Sequence, residues 1–138
     1  MTQIGAVLVV DDQAERAAAL IAALDDSQHR YEITPQAPDI EAVLGADSPW
    51  DCVICHVELL HVSWASVRRA MRSFDVQVPV LAVSDHRDMG SMTTALGLGA
   101  ANFFVNPAEK PGLVLRAIER GVHHRQLQRD LVESNENL

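Results

Sequence analysis

The chain has 138 residues, 48% of them hydrophobic and only 4% aromatic, with a formal net charge of −8. That length suits one domain with a real core, and the acidic balance argues against a nucleic-acid-binding face. No apolar run approaches the roughly 20 residues of a membrane span. No basic-then-apolar leader is visible at the start, so a cytoplasmic location is expected.

Residues 5–10 form a solid apolar strand that runs into Asp11 and Asp12. Adjacent carboxylates at a buried strand end are costly without a positive partner. Residues 13–24 are rich in strong helix formers. Residues 31–34 alternate weakly, as a short strand stopped by Pro35. A short helix is expected over 38–45, with Ile40, Val43 and Leu44 on one side.

A second apolar strand, 51–56, ends in His56. It contains Cys52 and Cys55, which resemble a CxxC. On a strand, residues three apart face opposite ways, roughly 10 Å apart, so core packing is expected rather than redox chemistry. A helix over 62–74 follows, then an apolar strand over 78–83 and a weaker helix over 87–98 interrupted by Gly90 and Gly97. The last strand is 101–105. A long helix is expected from about 110 to near 135, with Pro111 tolerable in its first turn.

Five apolar strands separated by helices imply an α/β fold, a doubly wound parallel sheet covered on both faces. Ligand chemistry in such sheets sits at the carboxyl ends of the strands. Asp11, Asp12, His56, Ser84 and Asn106 fall there, from four separate stretches.

Over about residues 5–122 the chain resembles a response-regulator receiver domain (CheY-like, with the flavodoxin-like five-stranded architecture). The resemblance rests on Leu8-Val9-Val10-Asp11-Asp12, Asp51–His56, Pro79–Ser84 and Gly99–Pro107. It implies that Asp11 and Asp12 are a Mg²⁺-holding pair, and that Ser84 is the phosphoryl-binding hydroxyl. It places His56 where the family has its phosphorylated aspartate, and Asn106 where it has a lysine. Phe103 falls at the switch aromatic, and Pro107 is a candidate for a preceding cis peptide. Leu60 and Trp64 stand where proline and glycine are common.

Mg²⁺ prefers hard oxygen ligands, so a lost carboxylate should weaken its site. Loss of the lysine removes a cation that would pair with a phosphoryl group. The resemblance therefore implies a pseudo-receiver, neither phosphorylated on Asp nor an enzyme, with no cofactor. Asp11 and Asp12 remain a weak metal pair. A histidinium at position 56, raised in pKa by the neighbouring carboxylates, is expected to replace the metal's charge. His56 as a merely tolerated polar residue stays open, as do a residual phospho- or metal-dependent switch and a hydrolase corner at Asp11, Asp12 and His56. Ser84 as a strand-end cap is also open.

Within the final helix, Val114, Ile118 and Val122 form the docking stripe. Leu127 and Leu131 continue a thinner one among charges, which reads as a helical linker over 123–138 following a domain over 1–122. An end without a capping glycine suggests a longer protein. The expected attachment is an output module of the PAS, GGDEF or EAL kind, in a two-component or cyclic-di-GMP regulator. The expected partner is a second copy, met through helix 87–98, strand 101–105 and the final helix, with neither nucleic acid nor membrane.

Overall fold

The computed structural model describes residues 4–24, 29–35, 43, 48–58, 78–87, 89–97 and 99–136. β1 (Ala6–Val10) leads into α1 (Ala14–Ala23), and β2 (Arg30–Thr34) and β3 (Cys52–His56) follow. Then come β4 (Val80–Ser84), α2 (Met89–Gly97), β5 (Asn102–Val105), a single 3-10 turn over Pro107–Glu109, and α3 (Pro111–Glu136). The expected helices over 38–45 and 62–74 lie outside the described residues, Val43 excepted.

All five strands are parallel, in the order β2-β1-β3-β4-β5. The sequence order reverses direction at β1, between β2 and β3, which opens a crevice beyond the carboxyl end of β1. β1, β3 and β4 are buried at every residue, so they read as unbroken apolar runs. Among the described residues β2 pairs only with β1, and it is mostly exposed.

Side chains alternate between two core layers. Val7, Val9, Cys52, Ile54, Leu81 and Val83 face α1 and α3, meeting Ala17, Leu20, Val114, Ile118 and Val122. Leu8, Val10, Val53, Cys55, Val80 and Ala82 face the other way, toward Ala95. The two cysteines are therefore in opposite layers, and both are free. Burial pushes each thiol up to about 12.

α3 docks through Val114, Ile118 and Val122, and the same face continues into Arg125 and Arg129 by helical spacing. Arg125 is only 2% exposed and donates from Nη2 to the Ser48 carbonyl at 3.0 Å. Arg129 Nη1 meets Asp51 Oδ1 at 2.8 Å. Asp51 Oδ2 in turn accepts from the Ala6 amide at 2.9 Å, at the start of β1. Residue 122, the expected domain boundary, falls inside this continuous helix, and packing on the domain extends to Arg129. Gly121 permits the close approach: a Cβ there would meet the Pro79 ring at 2.7 Å.

Candidate functional site

The crevice at the carboxyl ends of β1, β3 and β4 holds a cavity of about 170 Å³. Asp11, Arg16, His56, Asp85, Asn106 and Pro107 are among its lining residues. Of the residues expected from the sequence, Asp11, His56 and Asn106 converge here. Asp12 is exposed beside them and Ser84 does not line the cavity.

Arg16 dominates the site. It lies in the first turns of α1, where the sequence gives it only as a helix former. Its Nε donates to Asp11 Oδ2 at 2.8 Å and its Nη2 to Asp11 Oδ1 at 2.6 Å. This is the bidentate fork that guanidinium and carboxylate geometry favours. The remaining nitrogen, Nη1, donates to Asp85 Oδ2 at 2.8 Å, and Nη2 lies 3.6 Å from Asp12 Oδ1. Asp11 is 5% exposed, and its Oδ1 also accepts from the Gln13 amide at 2.9 Å. Burial alone would raise the Asp11 carboxyl pKa. The Arg16 and Gln13 hydrogen bonds and the Arg16 charge outweigh it, so the group lies below its ordinary value. The same bonds hold the Arg16 guanidinium well above its own.

His56 ends β3 and is 3% exposed. Its Nδ1 accepts from the Glu58 amide at 3.4 Å, which leaves the proton on Nε2. Among the described residues Nε2 has no hydrogen-bond partner, and it stands 4.0 Å from Asp85 Oδ2. Burial and then the Arg16 cation lower the His56 pKa, against the smaller pull of Asp11, Glu58 and Asp85. The expected upward shift is thus corrected to a downward one: burial and a permanent cation, Arg16, outweigh the acids. The signal for that cation was in the chain as the i, i+4 spacing of Asp12 and Arg16.

The Ser84 hydroxyl is engaged within its own turn. Its Oγ donates to the His86 carbonyl at 3.0 Å and accepts from the His86 amide at 3.1 Å. Asn106 takes the left-handed conformation with φ of 50°, which asparagine tolerates, while its amide donates to the Ser84 carbonyl at 2.8 Å. Among the described residues there is no cis peptide bond. The expected cis bond before Pro107 is therefore corrected to trans. The reversal of direction is made by Asn106 instead, and Pro107 opens the 3-10 turn with its fixed φ. Phe103 is half-buried and lines a separate groove with Arg87, Met89, Met92, Lys110 and Leu113.

Residues 7–118 match the family model described as "Response regulator receiver domain". The chain belongs to this family. As a receiver it is 32% identical over 137 residues to Response regulator PleD of Caulobacter vibrioides, an alignment covering 96% of this chain and 30% of that protein. The chain thus spans about a third of the length of the curated relatives it matches. A response regulator receiver protein from Burkholderia phymatum is 26% identical, with a TM-score of 0.63, over 83% of this chain and 94% of the other. A response regulator from Thermotoga maritima shares the fold at 18% identity and a TM-score of 0.66, over 88% and 99% of the two chains.

The divalent metal that the family implies does not fit the receiver's residues as they stand. Both Asp11 oxygens are engaged by Arg16, and His56 offers an imidazole, which carries no negative charge, where a third carboxylate is wanted. Among the described residues, no three His, Cys, Asp or Glu groups are arranged to hold an ion. Nor is any described helix long and apolar enough to cross a membrane.

Proposed function

We propose that this chain is a pseudo-receiver, a cytoplasmic regulatory module that is not phosphorylated on aspartate and works by protein contact. One observation carries the reading: Arg16 holds both oxygens of Asp11, the residue a metal-assisted phosphoryl transfer would need free. Around it, His56 ends β3 in place of a carboxylate, Asn106 carries no charge, and the Ser84 hydroxyl is committed to His86. Each of these removes a different part of the covalent step. The rival reading, a residual phospho- or metal-dependent switch on Asp11 and Asp12, must first displace Arg16.

The contact face in this proposal is α2, β5 and the first turns of α3, joined by a second copy about a two-fold axis. Met89, Leu96 and Leu113 are 68%, 45% and 52% exposed there, beside the groove that Phe103 lines. Such a patch supports burial against a partner. Phe103 acts as the aromatic of that face. The expected parent protein is a two-component or cyclic-di-GMP regulator with a PAS, GGDEF or EAL output module. The short span of the chain along PleD supports a longer parent.

Two measurements test this. Intact mass spectrometry after incubation with acetyl phosphate and Mg²⁺ is expected to give the unmodified mass; a gain of one phosphoryl group would refute it. Analytical ultracentrifugation is expected to show a dimer that Leu113→Asp dissociates. A monomer at every concentration would refute the contact face.

A further inference from the structure

The cation required by the acidic pair is built into the chain. One guanidinium reaches three carboxylates from two segments: the adjacent Asp11 and Asp12 between β1 and α1, and Asp85 in the loop after β4. A second observation points into the same place. His56 Nε2, buried and without a hydrogen-bond partner among the described residues, stands 4.0 Å from Asp85 Oδ2.

We propose that Arg16 is a tethered stand-in for a divalent cation. It neutralises the acidic pair and ties α1 to the loop after β4, so the pocket keeps one arrangement without metal or phosphoryl group. The inference rests on the pseudo-receiver reading and extends it to how the pocket is regulated. A free ion exchanges with solvent and leaves when its concentration falls. Arg16 stays at fixed effective concentration, and its planar fork dictates where Asp11 and Asp85 sit. The loop it holds leads directly into α2, one wall of the contact face. An ion entering the wild-type pocket must break a bidentate pair that is nearly dry at Asp11. Without Arg16, three carboxylates are left without their cation; as placed they do not form an ion site, so a divalent ion must draw them together to neutralise them.

The test compares the wild type with Arg16→Met, which keeps the apolar stem, and Arg16→Lys, which keeps the charge but not the fork. Mn²⁺ binding is read by loss of the free-ion paramagnetic resonance signal. Thermal midpoints are read with Mg²⁺ against NaCl at matched ionic strength. Arg16→Met is expected to bind Mn²⁺ at least about tenfold more tightly than the wild type. Its midpoint should rise with Mg²⁺ while the wild type's does not, and Arg16→Lys should fall between. Equal Mn²⁺ affinity in wild type and Arg16→Met would overturn the proposal, as would a folded Arg16→Met that ignores both ions. A wild-type measurement covers the case in which the variant does not fold. The amide resonances of Asp11, Asp12 and Gln13 are expected to stay sharp when Mn²⁺ is added, and selective broadening there would overturn the proposal. Phosphoryl incorporation would defeat the pseudo-receiver reading instead, so the two failures are separable.

Discussion

Arg16→Met should destabilise the domain far more than Asp85→Asn, although both remove a partner of the same guanidinium. The difference follows from burial. Asp11 is 5% exposed, so losing Arg16 strands a carboxylate that water cannot resolvate. Breaking a fully buried pair costs about 3–5 kcal/mol, whereas exposed pairs contribute about 0–1 kcal/mol. With Arg16 itself on the rim at 19% exposure, the expected loss is about 2–3 kcal/mol. For a domain of this size that is about 8–12 °C in Tm. Asp85, at 42% exposure, should yield about 1 kcal/mol or less. Asp11→Asn in the Arg16→Met background removes the stranded charge, so the double variant should be no less stable than Arg16→Met alone. Urea denaturation followed by circular dichroism supplies the four corners of the cycle. A coupling of about 1–2 kcal/mol is expected. Additivity within about 0.5 kcal/mol would refute the bidentate pair as the organising contact. The acid limb gives the same information. The folded Asp11 pKa lies below its ordinary value, so its stabilisation is full above that value and disappears as pH falls through the folded one. Arg16→Met should flatten that limb.

His56 should titrate below the ordinary histidine value, read by NMR of its ring protons. Because the folded pKa is lowered, stability is unaffected above the unfolded value near 6.5 and declines as pH falls from there toward the folded value. His56→Gln should remove that decline, and a decline of equal size would contradict the assignment. At the opposite end of the sheet, Arg125→Met should cost about 1–3 kcal/mol, because the Ser48 carbonyl loses a buried donor. Arg129→Ala should cost about 1 kcal/mol or less, as its side chain is 42% exposed. Hydrogen exchange should show both variants fraying α3 beyond Val122, and unchanged protection there would refute the anchoring of α3 by Arg125 and Arg129.

The sheet was legible because buried parallel strands leave an unbroken apolar signature. β1, β3 and β4 lie within a residue or two of their expected limits, whereas β2 reads more faintly because half its face meets solvent. The strand ends then nominated Asp11, His56 and Asn106 without side-chain information. Arg16 escaped because helix-forming character explains an arginine at that position equally well. No local rule brings Asp85, 69 residues on, into its reach. Burial and that cation together reverse the expectation for His56, since nearby carboxylates counted alone would raise an imidazole pKa. Arg125 escaped for a related reason. A charged residue past the last apolar position looks like a solvated linker until the loop preceding β3 supplies a carbonyl for it. The cis expectation before Pro107 came from resemblance, and Asn106 meets the same turn through its left-handed backbone.

The most direct measurement of the account is the Arg16 guanidinium itself, observed by nitrogen-15 NMR with and without Mg²⁺. A fork held on Asp11 and Asp85 should give a slowly exchanging Nε–H and resolved Nη–H signals that do not move when magnesium is added. Rapidly exchanging, averaged signals like those of exposed arginines, or signals displaced by magnesium, would contradict it.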